Sequence, residues 1–276
     1  MLSSYILSLR EGLEAALILG IVLGALRQTY RLDLSVSVWL GAGSAAILSL
    51  VTAILLTRLG LEMKDPAEAI FEAITMILAA AILTWMIFWM NQRARYLKSD
   101  LESGVQRASQ VGKWSLFGLA FLAVLREGVE LALFLTAAAF SSGAQQTILG
   151  TLFGLGTAVL LGWALFASTL RLDLKRFFQV TGILLIFFAA GLVSHSLHEF
   201  NELGWVPPVI AHVWDLNHLL NDQSTLGQLL AALFGYNGNP SLTEVLAYAA
   251  YFAVVLLGLR WVGSKSAQTA QRQVKT

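Results

Sequence analysis

The chain has 276 residues, of which 57% are hydrophobic and 13% are charged, and its mean hydropathy is +0.70. This composition excludes an average soluble domain and is typical of a polytopic membrane protein. The formal net charge of +1 does not indicate nucleic-acid binding, and the absence of cysteine excludes disulfides, thiolate metal ligands and cysteine nucleophiles.

Seven apolar runs are each long enough to cross a bilayer as an α-helix, which takes about 20 residues. The sequence therefore predicts an all-α, polytopic membrane protein with seven transmembrane helices in a single transmembrane domain, residues 1–262, followed by a tail at 263–276. The predicted spans, in chain order, are 2–26, 36–59, 67–91, 114–140, 145–169, 177–200 and 242–262.

Three charges interrupt the first span, at Arg10, Glu11 and Glu14, so we expect no cleaved signal peptide there. At about 100° per residue, all three side chains share one face of a helix. Gly12 falls on the other side, where a neighbouring helix can approach closely. Each charge inside a bilayer-spanning segment costs roughly 2.5–3.5 kcal/mol on insertion scales, which favours a functional role.

The fourth span repeats this pattern at residues 126–130, as Arg-Glu-Gly-Val-Glu. Each motif has a net charge of −1 if fully ionised, and two facing motifs would offer four carboxylates and a net charge of −2. This arrangement predicts a cation site; the alternative is that each arginine pairs with its own glutamates and the set only staples helices together. The predicted metal ligands are Glu11, Glu14, Glu127 and Glu130, and the predicted orienting residues are Arg10 and Arg126.

Two such motifs on the first and fourth predicted helices resemble the oxidase-dependent iron permease family. A single Arg-Glu-x-x-Glu is common, but a pair at these places is specific, and the likeness covers almost the whole chain. Val129 in place of Leu13 is a mild departure. The resemblance implies a high-affinity iron uptake permease of the inner (plasma) membrane, with iron as transported substrate and no permanently bound cofactor. It also implies an external partner, a ferroxidase- or peroxidase-type or other iron-binding protein that hands over the iron.

The choice of iron comes from this resemblance, because carboxylates alone also admit Mn²⁺, Mg²⁺ or Ca²⁺. Oxygen ligands suit hard cations, so we expect ferric iron, the hardest common candidate. Two other classes of function stay open. One is a proton-coupled carrier for another divalent metal, and the other is a non-transporting membrane metal sensor or assembly factor. No nucleophile–base pair is visible, so we expect no enzyme; membrane lipid is an expected partner, and a homo-oligomer is compatible with the sequence.

Lysine and arginine outside the two motifs are unevenly distributed between alternate loops. Fourteen follow spans one, three, five and seven, and only Arg58 and Lys64 lie on the opposite side. The positive-inside rule then predicts an external N-terminus and a cytoplasmic tail at 263–276. The polar segment 92–113 is predicted to be a cytoplasmic connector. Tryptophans near several span ends, Trp85 and Trp89 among them, are typical of an aromatic belt.

Spans one to three and spans four to six form a weak internal repeat. Repeat one covers about 1–91 and repeat two about 114–200, and three spans per repeat place the second copy in inverted orientation. Gly41-Ala42-Gly43 is matched with Gly154-Leu155-Gly156 across the repeats. Inverted repeats with a site near the membrane midplane are a recurring plan of transporters.

The predicted outer face is rich in metal-binding side chains, since residues 177–259 contain all four histidines, five acids and no lysine or arginine. His195 and Glu199 share a helix face, with His198 beside them, and such spacing can bind a first-row metal. Metal capture is therefore predicted here; histidines that only form local hydrogen bonds are the alternative. The outer segment 201–241 is predicted to hold a re-entrant or interfacial helix at about 226–236.

A second acidic cluster precedes the third span. It contains Glu62, Asp65 and Glu68, with Glu72 one turn deeper in the apolar run. Because of that depth, Glu72 is the predicted metal ligand of the cluster, and the other three form its acidic surroundings.

Overall fold

The computed structural model describes residues 1–93, 103–105, 107–108, 112–167, 174–222 and 224–273. These residues form helices and turns, with no β-strand among them, which confirms the all-helical prediction. The helices are α1 (Leu2–Gln28), a short 3-10 helix (Leu32–Leu34), α2 (Ser35–Glu62), α3 (Ala67–Arg93), α4 (Lys113–Ser142), α5 (Ala144–Ala167), α6 (Leu174–Glu202), α7 (Thr225–Phe234) and α8 (Leu242–Gln273).

Five stretches of these helices are long and apolar enough to cross a membrane, by length and composition. The other two long helices of the described part, α1 and α4, each carry the three charges of a motif within five consecutive residues, which sets them apart from the five stretches. The count of seven spans therefore stays a prediction. α8 continues to Gln273, past the predicted end of its span at residue 262. The predicted connector 92–113 lies largely outside the described residues. The five stretches are Leu32–Gly60, Ala67–Met90, Ala144–Leu165, Arg176–Glu202 and Leu242–Arg260.

The helices of the two predicted repeats exchange partners: α1 packs along α5, α4 packs along α2, and α3 packs along α6. Glycine makes the first two contacts possible. A Cβ atom on Gly41 would meet the carbonyl oxygen of Phe117 on α4, and a Cβ atom on Gly150 would meet the carbonyl oxygen of Met1 on α1. Backbone contact this close tolerates no side chain.

These contacts change the register of the predicted glycine match. Phe117 stands 9 residues before Arg126 and Met1 stands 9 before Arg10, so Gly41 and Gly150 occupy corresponding places. The sequence match instead paired Gly41 with Gly154, one helical turn later. Gly154 also packs on the α1 backbone, where a Cβ atom on it would lie 3.0 Å from the Leu9 nitrogen. Both glycines therefore face the partner, and their spacing alone does not fix which one corresponds to Gly41. Two related halves would pack in this way, with the first helix of each half against the second helix of the other. The repeat itself stays a prediction.

Two apolar clusters lie on either side of the motifs. The α6-side cluster contains residues before the motif on α1 and after the motif on α4, together with the facing sides of α3 and α6. The α2-side cluster contains residues after the motif on α1 and before the motif on α4. The charged motifs therefore lie between two buried apolar layers. Buried members include Leu7, Met76, Leu83, Phe134, Phe188 and Leu192 in the α6-side cluster, and Ile18, Val22, Leu26, Val38 and Leu116 in the α2-side cluster.

The outward faces of α2, α5 and α8 expose large apolar side chains, as helices in contact with lipid do. Trp39, Trp85, Trp114 and Trp163 are among the exposed aromatic residues, in agreement with the predicted aromatic belt. This exposed apolar surface supports a multi-pass membrane protein.

The outer segment contains the short helix predicted at about 226–236, observed as α7. Ser224 caps it by accepting a hydrogen bond from the Gly227 backbone N–H at 3.0 Å, and Gly235 ends it in a left-handed conformation with φ 65°. Gly235 then packs directly against the backbone of Gly191 on α6, where a Cβ atom on Gly191 would lie 2.6 Å from the Gly235 Cα. The end of α7 is thereby fixed to α6.

Candidate metal centre

The first motif forms a buried ion cluster on one face of α1. Arg10 Nε lies 3.3 Å from Glu14 Oε1, and Arg10 Nη1 lies 3.8 Å from Glu11 Oε1, which confirms the shared face. These are charge contacts at ion-pair distance that lack the geometry of hydrogen bonds. Arg10 is only 1% exposed, and its Nη2 donates to the sulfur of Met90 at 3.1 Å.

The second motif has the same plan with one stronger contact. Arg126 Nε donates to Glu130 Oε1 at 3.0 Å and lies 3.9 Å from Glu127 Oε1. The Arg126 guanidinium sits over the ring of Trp89, 4.7 Å from its centroid, in a cation–π arrangement. Its side chain is 38% accessible, so the two arginines differ sharply in burial.

Both arginines are therefore held by neighbouring residues near the C-terminal end of α3. Trp89 contacts Arg126 and Met90 contacts Arg10. The sequence assigned Trp89 to the aromatic belt and gave no signal for Met90. Only their adjacency in the third span was visible, because contacts between helices so far apart in sequence leave no local pattern.

Glycine inside each motif brings a second helix close behind the charges. A Cβ atom on Gly12 would lie 2.7 Å from the Ala158 Cβ on α5, and a Cβ atom on Gly128 would lie 2.6 Å from the Ser49 Cβ on α2. This confirms the expected close approach. The neighbouring helices pack against the glycine side of each motif, while the charged sides lie together between α1 and α4.

Three carboxylates converge between the two motifs. Glu11, Glu14 and Glu127 each offer an oxygen within 4.8 Å of the others. Across the described residues, no other group of three or more His, Cys, Asp or Glu side chains comes this close. Carboxylate oxygens bound to one metal ion at about 2.0–2.3 Å can be up to about 4.6 Å apart, so a small closure suffices for coordination. Glu130 lies beside this group, with one oxygen bonded to Arg126.

The carboxylates also carry buried oxygens with no hydrogen-bond donor among the described residues. Leaving a buried polar atom unpaired costs about 1–3 kcal/mol, and more for a charged group. An oxygen-seeking cation between Glu11, Glu14 and Glu127 would coordinate oxygens that lack a donor, so the residues present fit a metal ion. The atoms are Glu11 Oε1 and Oε2, Glu14 Oε1, Glu127 Oε2 and Glu130 Oε2.

The predicted acidic cluster lies elsewhere, at the start of α3. Glu72 is about 26 Å along the helix from Trp89, at 1.5 Å per residue, and so does not join the central carboxylates. Its charge interacts with those of Glu68 and of Glu199 at the end of α6. Glu199 in turn interacts with Asp65. The structure thus brings two predicted groups together as one acidic rim, and metal binding by Glu72 or Glu199 stays a prediction.

The histidines of α6 have different surroundings. His198 Nδ1 lies 3.2 Å from Glu244 Oε1 and its Nε2 lies 3.4 Å from Glu202 Oε1, so both ring nitrogens already face carboxylates. The ring of His195 lies 5.9 Å from that of His198, centroid to centroid, and lines a cavity beside α7. Metal capture by these histidines stays a prediction.

Comparison with known proteins identifies close relatives along nearly the whole chain. The model of the family described as "Iron permease FTR1 family" matches residues 1–269. The chain is 35% identical over 273 residues to the "Ferrous iron permease EfeU" of Escherichia coli strain UTI89, covering 98% of this chain and 99% of the relative. Proteins of the same printed name from Shigella sonnei and Yersinia pestis are 36% and 34% identical over 256 residues, covering 92% of this chain and 93% and 91% of the relatives. No solved structure matches the chain.

Arg10→Lys should destabilise the protein more than Arg126→Lys. Lysine is a point charge and cannot reach Glu11, Glu14 and Met90 at once, so at least one contact of a buried charged group is lost, at about 1.5–3 kcal/mol. Arg126 is partly accessible, and we expect a loss of about 1 kcal/mol or less. The free energy of unfolding of both variants can be measured in mixed detergent micelles. Arg58→Lys, which lies outside the motifs, is the control. Equal losses for Arg10→Lys and Arg126→Lys would contradict the difference in burial.

Proposed function

The chain belongs to the iron permease FTR1 family, and we propose that the iron it transports passes between the carboxylates of the two motifs on α1 and α4. Glu11, Glu14 and Glu127 would hold the ion, and Glu130 would join them when it releases Arg126. Arg10 and Arg126 would orient the carboxylates and hold the empty site together, since repulsion among four buried carboxylates is otherwise unopposed.

The observation that carries this proposal is the set of buried carboxylate oxygens without a donor. If the motifs only stapled helices together, their charged atoms would be expected to be hydrogen-bonded, because unpaired buried charges are strongly destabilising. Arg126 and Glu130 meet that expectation, whereas Arg10 Nε and Nη1 lie 3.3 Å and 3.8 Å from carboxylate oxygens of Glu14 and Glu11 without a hydrogen bond. The remaining oxygens point to a role that needs free ligand atoms.

Charge balance favours Fe²⁺ in the site. With all six motif side chains ionised, the net charge is −2, which a divalent ion neutralises and a trivalent ion would overshoot. An uncompensated charge in an apolar membrane interior is costly. The relatives are named ferrous iron permeases. We therefore propose Fe²⁺ as the ion in transit, and ferric iron, expected from ligand hardness, stays the alternative.

The two apolar clusters would act as barriers on either side of the ion. The α6-side and α2-side clusters leave the carboxylates between two buried apolar layers. Transport through such a site needs each layer to open in turn, as in transporters with a binding site near the midplane. Opening both layers at once would give a leak, so we propose that the clusters open alternately.

We further propose an inner-membrane location and an external iron-handling partner, either a ferroxidase- or peroxidase-type protein or an iron-binding protein. The support is the family itself and the acidic rim at the predicted outer face. Such a rim attracts cations and raises their local concentration. If removal of one such external protein abolishes uptake while the permease is still present at its normal level, that protein is the partner. If uptake is unaffected by removal of every candidate, the proposal of an external partner is wrong.

Glu14→Gln and Glu130→Gln should each reduce iron uptake by at least about tenfold, since losing a charged buried contact costs about 1.5–3 kcal/mol. Glutamine keeps the size of the side chain and removes an anionic ligand. Uptake of radioactive iron into vesicles, normalised to the amount of inserted protein, measures the effect. Asp33→Asn, at an exposed position between α1 and α2 and away from both acidic groups, makes the same change from carboxylate to amide and should transport normally. Wild-type rates in both motif variants would refute the carboxylate site.

The orientation should be N-terminus outside and C-terminus inside, because fourteen lysines and arginines lie on one side and only Arg58 and Lys64 on the other. A reporter fused after Thr276 should be active only in the cytoplasm. A small tag inserted in the loop between α6 and α7 should react with an impermeant reagent added outside. A cytoplasmic position for that loop would contradict the proposed orientation and the span count.

A further inference from the structure

A polar cavity of about 400 Å³ lies between the end of α6, α7 and the turn that leads to α8. Its lining includes His195, Asp222, Asn239 and Glu244. We propose that this cavity holds a divalent first-row cation together with its water shell, before the ion sheds water and reaches the motif carboxylates. This inference rests on the proposed iron transport and concerns a separate site.

The position of the cavity suits a binding site that the ion occupies before it reaches the motif carboxylates. Phe188 and Leu192, which belong to the α6-side cluster, also form part of the cavity wall. The same cluster contains Leu7 and Phe134, which lie about one turn from the motifs on α1 and α4. The cavity and the carboxylates therefore lie on opposite sides of one apolar layer, and opening that layer would connect them.

One acid of the lining is already fully used in holding the wall together. Glu244 Oε1 accepts from Ser241 Oγ at 2.9 Å and lies 3.2 Å from His198 Nδ1. Its Oε2 accepts from Asn237 Nδ2 at 2.8 Å. Glu244 is 3% exposed, so it ties α8 to α6 and to the preceding turn and is not a free ligand.

Among the other polar residues of the lining, His195, Asp222 and Asn239 are the candidates for holding a ligand. Asp222 Oδ1 accepts from the Gly238 backbone N–H at 2.9 Å, and Asp222 is part of the cavity lining. Asn239 Oδ1 is buried without a donor among the described residues. No lysine or arginine occurs between residues 177 and 259, so no side-chain cation from this stretch competes for these acceptors.

The size of the cavity favours a hydrated ion over a stripped one. At about 30 Å³ per water molecule, 400 Å³ holds about thirteen waters, enough for six around a metal ion and part of a second layer. Direct coordination by three side chains would need ligand atoms as close as those of the motif carboxylates, and the described cavity residues include no such group. Amide and carboxylate oxygens around the cavity instead suit hydrogen bonds from metal-bound waters.

This assignment changes which side chains would capture the ion at the outer face. His198 is engaged by Glu244 and Glu202, and Glu199 belongs to the acidic rim. Of the two predicted capture histidines in the lining, His198 lies within 3.4 Å of two carboxylates, so His195 is the one we assign to the ion, and Asp222 joins it from the loop before α7.

Binding of Mn²⁺ to the purified full-length protein tests the proposal, since the electron paramagnetic resonance signal of free Mn²⁺ counts the bound ions. The wild-type protein should show two classes of site. His195→Ala/Asp222→Asn should remove one class and raise the half-saturation for iron uptake by about threefold or more at normal maximal rate. Asparagine keeps the acceptor for Gly238, so the loop should stay in place. Glu14→Gln/Glu130→Gln should remove the other class and abolish uptake.

The control pair His212→Ala/Asp215→Asn has the same chemistry at exposed positions outside the cavity lining, and should bind as the wild type does. In the Glu14→Gln/Glu130→Gln background, Mn²⁺ in the cavity should retain about six waters, counted by pulsed resonance in heavy water. Two results for His195→Ala/Asp222→Asn would contradict the proposed cavity site. One is an unchanged number of bound ions, and the other is loss of maximal uptake in correctly inserted protein. Direct nitrogen coupling from His195 would overturn the hydrated state. Failure of the motif variants alone to behave as expected would count against the central site instead.

Discussion

The structure depends on keeping four glutamates and two arginines together where the surroundings are apolar. Arg10 is 1% exposed and lies beside two carboxylates and a sulfur, yet its Nε and Nη1 make no hydrogen bond with the facing oxygens of Glu14 and Glu11. A bound cation would offset the net negative charge of the buried set and coordinate the oxygens left without a hydrogen bond. Without the two arginines the four carboxylates would repel one another, so the arginines stabilise the set.

The rest of the fold positions these charges. Gly12 and Gly128 let α5 and α2 pack directly behind the motifs, and this leaves the charged faces of α1 and α4 towards each other. α3 contacts both arginines through Trp89 and Met90, so a single turn of α3 packs against both motifs. The apolar clusters above and below then separate the site from both membrane faces.

Much of this could be predicted from the sequence because the signals are local. The charges recur within one helical turn, and their shared face follows from helix geometry alone. The contacts of Trp89, Met90 and His198 could not be predicted, since their partners lie on other helices. The glycine that corresponds to Gly41 could not be chosen from the sequence either, because Gly150 and Gly154 both pack on the backbone of α1.

The central claim is that the two motifs form one metal site. A structure determined after soaking with iron, with anomalous scattering recorded at the iron absorption edge, tests it most directly. We expect a peak between α1 and α4, at about 2.0–2.3 Å from oxygens of Glu11, Glu14 and Glu127. A well-ordered site with no iron between the motifs, and each arginine hydrogen-bonded to its own glutamates, would show that the motifs only hold the helices together.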